Sequence, residues 1–155
     1  MSDSSSSIQD QSDWDNKELI WDRKAFYVIK TPTIFDLPVG LEQNIKKAFR
    51  LAREEGYQIP SHPIILMRSG LFYGEVLVEI SGIVTPGGNI RIFNDVSVYT
   101  TRPGKSRKEL KKNARKLLRK LRKEGKKFTH IYYWYQMPSY CNKSTLQIGL
   151  LALGA

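Results

Sequence analysis

The sequence predicts one α+β domain built from two β-α-β-β units, an antiparallel sheet with two helices on one face. Three observations carry this expectation. Short runs rich in β-branched and aromatic residues alternate with two longer runs whose apolar residues recur at a 3.6-residue period. Each long run follows a strand and a Pro-bearing turn and ends at a glycine. Tyr27 to Gly56 spans 29 residues and Tyr99 to Gly125 spans 26, so both halves keep one order of elements. At 155 residues and 41% apolar content, the chain fills one core and is too short for two.

Residues 1–22 form a Ser-rich, acidic tail. Asp3, Asp10, Asp13, Asp15, Glu18 and Asp22 oppose only Lys17, and such a segment is expected to be partly disordered. The domain then covers 23–155, in halves 23–85 and 88–155. Ala25–Lys30 reads as a strand closed by Thr31-Pro32. Leu41, Ile45, Phe49 and Ala52 give a helical stripe that Gly56 ends. Ile64–Met67 is a short apolar strand. In Gly74–Ser81, Val76, Val78 and Ile80 point one way and Glu75, Leu77 and Glu79 the other. Pro86-Gly87-Gly88-Asn89 is a turn, and Ile90–Thr101 one long strand region. Ile131–Met137 and Leu146–Leu153 close the chain as strands.

Between the Ile90–Thr101 and Ile131–Met137 strands lies the most charged segment. Lys105–Lys127 holds thirteen Lys or Arg against Glu109 and Glu124, a local balance of +11 in a chain whose total is +10. Leu110, Ala114, Leu117, Leu118 and Leu121 nevertheless make one apolar stripe, Ser106 and Glu109 form a capping box, and Gly125 stands at the C-cap. This is a core helix with a basic outer face.

Several chemistries are excluded by pattern. No run reaches the roughly 18 apolar residues of a membrane span, and the N-terminus lacks the features of a secretory signal. Cys141 is the lone cysteine, which excludes an internal disulfide and favours a reducing, cytoplasmic setting. His62 and His130 have no partners at zinc-ligand spacing. Gly104-Lys105-Ser106 mimics the end of a phosphate-binding loop, but Tyr99 occupies the position where that loop needs glycine. No metal or cofactor is expected.

Residues 24–153 resemble a stand-alone GyrI-like small-molecule-binding domain. The resemblance is closest in VSVYTTRPGKSRKELKKNARKLLRKLRKEG, YYWYQMPSYC and LQIGLLAL. It implies binding of a bulky apolar, amphipathic or cationic small molecule in a groove between the halves. In some members it implies hydrolysis of cyclopropane-bearing toxins. It also implies that a strand carboxylate among aromatic rings carries the contact or the chemistry. The positions that fit are Glu75 and Glu79 as catalytic or charge-bearing groups, with Tyr73, Tyr133, Trp134 and Tyr135 as walls. The chain has no room for a helix-turn-helix ahead of the domain, which favours a stand-alone binder or enzyme; a monomer or weak dimer is expected.

Each of these residues also has a plainer use. Glu75 and Glu79 fit the solvated outer face of an antiparallel sheet. Any one ring of Ile131–Met137 fits core packing, with Tyr133 and Tyr135 on one face and Tyr132 and Trp134 on the other. The alternative function is nucleic-acid or acidic-protein binding through residues 106–123, with Lys108, Lys112, Arg115, Arg119 and Arg122 as phosphate or carboxylate contacts.

Overall fold

A computed structural model describes residues 17–34, 37–38, 41–68, 73–82, 84–101, 107–128, 130–136 and 147–153. Its elements, in chain order, are β1 (Glu18–Trp21), β2 (Lys24–Ile34), β3 (Leu37–Pro38), α1 (Leu41–Glu54), β4 (Ile65–Arg68), β5 (Tyr73–Ile80), β6 (Ile90–Phe93), β7 (Val96–Thr100), α2 (Arg107–Lys123), β8 (His130–Gln136) and β9 (Gln147–Leu153). The architecture is α+β with antiparallel pairing, as the sequence predicts. The first dozen tail residues, Ser106 and Cys141 lie outside the described residues. Among the described residues, no helix is long and apolar enough to cross a membrane.

The chain divides into two compact units, Asp22–Asp95 and Met1–Trp21 with Val96–Ala155. In the first unit the strands run in the order β4-β5-β2, and β3 and β6 pair along the other edge of β2. Helix α1 packs on β2 and β5. Its stripe is buried as the periodicity predicts, with Ile45, Ala48 and Ala52 shielded from solvent. Asn44 reaches Thr31 from the helix, its Nδ2 donating to Oγ1 at 2.5 Å. That contact fixes Ala25, Tyr27, Ile29 and Thr31 as the helix-facing side of β2. Phe26, Val28 and Lys30 face the other way.

Two features depart from the sequence reading. Strand β2 does not stop at Thr31-Pro32 but continues to Ile34, with Pro32 opposite Tyr73. The Val28 amide points away from β5, to Asn89 O at 2.8 Å. At a period of two, the nitrogen of Pro32 points the same way, so the β2–β5 ladder loses no donor. The region Ile90–Thr101 is not one strand. It breaks between β6 and β7 at Asp95, whose φ of 49° lies in the left-handed region that Asp tolerates better than most residues.

In the second unit the order is β1-β7-β9-β8. Strand β1, which the sequence reading left inside the tail, pairs with β7 from Glu18 opposite Tyr99 to Trp21 opposite Val96. Tyr99, Leu117 and Leu121 make a core cluster, joined by Ala114, Phe128, Ile131 and Tyr133. Burying each such leucine stabilises the unit by about 2 kcal/mol. The opposite side of β8 carries Tyr132 and Trp134, both buried.

Both helices end in one way. Gly56 N–H donates to Arg53 O and Tyr57 N–H to Ala52 O; Gly125 N–H donates to Arg122 O and Lys126 N–H to Leu121 O. This is the paired bonding of a Schellman end, and the glycines adopt φ of 92° and 70°. Nothing lies within 4 Å of a Cβ built on either glycine. The cost of Gly56→Ala or Gly125→Ala is therefore conformational, about 1 kcal/mol each, measurable by urea denaturation.

Candidate functional site

The side of the first unit's sheet that faces away from α1 gathers most of its charge. Alternation along β5 puts Tyr73, Glu75, Leu77 and Glu79 there. The register sets Lys30 and Arg68 on either side of Glu75, Val28 and Leu66 beside Leu77, and Phe26 beside Glu79. Strand β6 adds Arg91 opposite Phe26 and Phe93 opposite Lys24. Phe26, Leu66 and Leu77 in the middle are fully shielded. The two carboxylates therefore stand at opposite ends of an apolar strip, their Cα atoms about 13 Å apart along the strand.

Glu79 is buried, at 8% exposure. Its Oε1 accepts the Ile64 amide at 3.0 Å and its Oε2 accepts Lys24 Nζ at 3.1 Å. Its own amide donates to Ile64 O at 3.0 Å. The carboxylate is thus fixed by two donors, one to each oxygen, and each oxygen keeps a second lone pair. Lys24 retains 20% of its side-chain exposure, so this end of the strip is not sealed from solvent.

Glu75 is held differently. Arg91 grips it as a fork, Nη1 to Oε1 at 2.8 Å and Nη2 to Oε2 at 2.9 Å, and Arg68 Nη1 lies 3.9 Å from Oε1. The Arg91 hydrogen bonds hold the Glu75 carboxyl below the usual range, against the opposing effect of burial. It stays ionised where a general acid must not. Because its folded pKa is depressed, the native state binds fewer protons than the unfolded chain near pH 4. Its stabilisation is full above the unfolded pKa and disappears as pH falls through the folded one. Arg91→Met is expected to cost about 2 kcal/mol at pH 7. It is also expected to flatten the fall in urea stability below about pH 5.

On the helix side, the buried Tyr27 hydroxyl donates to Glu55 Oε2 and accepts from Asn89 Nδ2 at 3.3 Å. Burial first, then the bond to Glu55, raise its pKa above the ordinary phenol value.

The sequence-predicted residues are thus distributed over both units. Glu75, Glu79 and Tyr73 share one face of the first unit, and Tyr73 is exposed with Lys30 Nζ 4.8 Å from its ring centroid. Glu79 is buried and Glu75 partly so, unlike the solvated outer face that alternation alone suggests. Tyr133 and Trp134 belong to β8 of the second unit and project from opposite faces. Tyr133 packs in the α2 cluster, whereas Trp134 is buried on the far side. Tyr135, also in β8, pairs with Ile148 of β9, and its side chain lies outside the described residues. Lys108, Lys112, Arg115, Arg119 and Arg122 are all exposed on α2.

Sequence reasoning missed Lys24, Arg68 and Arg91, the cations that set the character of both carboxylates. The face carries Lys24, Lys30, Arg68 and Arg91 against Glu75 and Glu79, an excess of positive charge that disfavours a cationic guest. Among the described residues, no group of His, Cys, Asp and Glu could hold a metal ion.

No curated protein and no solved structure matches the chain. A protein family does: the model of the family described as "Bacterial hydrolase" matches residues 5–147. That match runs through both units and nearly the whole sequence, and the chain belongs to this bacterial hydrolase family.

Proposed function

We propose that the protein is a hydrolase in which Glu79 activates water at the Lys24 end of the first unit's charged face. The observation that carries this reading is the fixed Glu79 carboxylate, held between the Ile64 amide and Lys24. In this reading a water bound at a remaining Glu79 lone pair passes a proton to the carboxylate as its oxygen attacks the substrate, and Glu79 returns that proton to the leaving group as the scissile bond breaks. The Lys24 ammonium stands beside the carboxylate and offsets the negative charge that develops on the substrate oxygen. Glu75 has no proton to offer and serves to anchor Arg91.

The substrate class follows from the same residues. Phe93 beside Lys24 offers an apolar contact, and the surplus of cations favours a neutral or anionic amphipath over a cation. The GyrI-like resemblance belongs to this proposal, supported by the repeated β-α-β-β order. The test is a hydrolysis panel of neutral, anionic and cationic amphipathic esters, amides and strained-ring compounds. Turnover of a neutral or anionic compound is expected, and preference for the cationic series would contradict the assignment.

A second reading rests on a separate observation. Five of the exposed cations of α2, Lys108, Lys112, Arg115, Arg119 and Arg122, lie on the pole opposite Leu110, Leu117 and Leu121, where they can meet a polyanion together. Nucleic-acid or acidic-protein binding there predicts an affinity that falls steeply with salt and is lost in Arg115→Glu/Arg119→Glu. Binding indifferent to both would discard it.

A further inference from the structure

The second unit contains a cavity that the hydrolase reading does not use. It has a volume of about 330 Å³ and lies between β1, β7 and the last turns of α2. Leu117, Leu121 and Tyr99 supply its apolar part, and Lys17, Lys116, Lys120, Lys126, Glu18 and Glu124 its charge. Its size is at the lower end of small-molecule sites, ample for a fused aromatic ring and too small for a folded partner.

The charges are not evenly matched. Both glutamates turn to one lysine: Lys126 Nζ is 2.9 Å from Glu18 Oε1 and 3.4 Å from Glu124 Oε1, and it sits 5.0 Å from the Tyr99 ring centroid. The hydrogen bond that Lys126 donates to Glu18 raises the Lys126 pKa, so it stays cationic. Lys17, Lys116 and Lys120 line the same space, so the lining holds four lysines against two glutamates and keeps a net positive charge. Lys116 and Lys120 are one helical turn apart and so flank the opening on one side of α2. The two walls are tied at Lys17, whose amide donates to Thr100 Oγ1 at 2.9 Å while its carbonyl accepts the Thr100 amide at 2.9 Å.

We infer that this cavity is a binding site for a small organic anion. Its acidic group lies among Lys17, Lys116 and Lys120, and its apolar body lies toward Leu117, Leu121 and Tyr99. The site is separate from the α2 pole described above. Lys108, Lys112, Arg115, Arg119 and Arg122 lie on the far side of the helix, and none of them lines the cavity. It is equally independent of Glu79, which belongs to the other unit.

The experiment is calorimetric titration of the full chain in about 0.1 M salt, where the Debye length is about 10 Å. Three probes are used: naphthalene-2-sulfonate, which no hydrolase would consume in this assay, inorganic phosphate, and 2-naphthylmethylamine. Two double variants carry the same change of charge. Lys116→Ala/Lys120→Ala removes cavity lysines, and Arg115→Ala/Arg122→Ala removes cations from the opposite flank of the helix. All four positions are exposed, so the fold is retained. The sulfonate is expected to bind more tightly than phosphate or the amine. The cavity variant is expected to weaken it about tenfold, and the opposite-flank variant less than about twofold. Equal losses in the two variants, equal binding of the amine, or no sulfonate binding at millimolar concentration would overturn the assignment.

Discussion

Replacing Glu79 with glutamine is expected to slow turnover about a hundred- to ten-thousandfold, with KM little changed. Glutamine keeps the shape of the side chain and an oxygen that accepts the Ile64 amide, but it cannot take a proton from water. Its amide group would face Lys24, donor against donor, so the ion pair is lost as well. That costs stability of about 1 kcal/mol, which is small beside the expected loss of rate. A melting curve beside the kinetics separates the two. An effect confined to the melting curve would make Glu79 a structural group that holds β5 to the segment before β4.

Truncating Leu77 to alanine is expected to destabilise the chain by about 3 kcal/mol. Leu77 is fully shielded, with Val28 on one side and Leu66 on the other in the register. Removing its isobutyl group leaves a gap in the apolar strip between the two glutamates, and flanking side chains anchored in β2 and β4 have little freedom to fill it. Urea denaturation measures the loss. A change below about 1 kcal/mol would mean that the strip collapses easily and does not hold Glu75 and Glu79 apart.

Much of the scaffold was legible because local rules decide it. The stripe of Ile45 and Ala52 on α1, that of Leu110, Leu117 and Leu121 on α2, and the glycine after each helix follow from a 3.6-residue period and from φ above zero. Alternation placed Glu75 and Glu79 on one face. It could not tell whether that face is wet, because burial depends on partners far along the chain. Lys24 is 55 residues from Glu79, and Arg91 is 16 residues from Glu75. Neither spacing is a motif. The contacts arise only once β2 lies between β5 and β6, and that strand order is a property of the sheet. Strand β1 was hidden for a similar reason. Glu18 and Lys17 look like tail residues until Lys126, 108 positions beyond Glu18, pins the strand to the end of α2. The aromatic strand β8 shows the limit of pattern most plainly. Its parity was readable, but only packing shows that Tyr133 faces α2 while Trp134 faces the other way.

The most direct measurement is a side-by-side first-turnover rate for Glu75→Gln and Glu79→Gln on one hydrolysed substrate, each corrected for its folded fraction. The Glu75 variant is expected to turn over within about tenfold of the parent, while the Glu79 variant loses at least about a hundredfold. Wild-type turnover in the Glu79 variant, or a loss borne by the Glu75 variant alone, would contradict it.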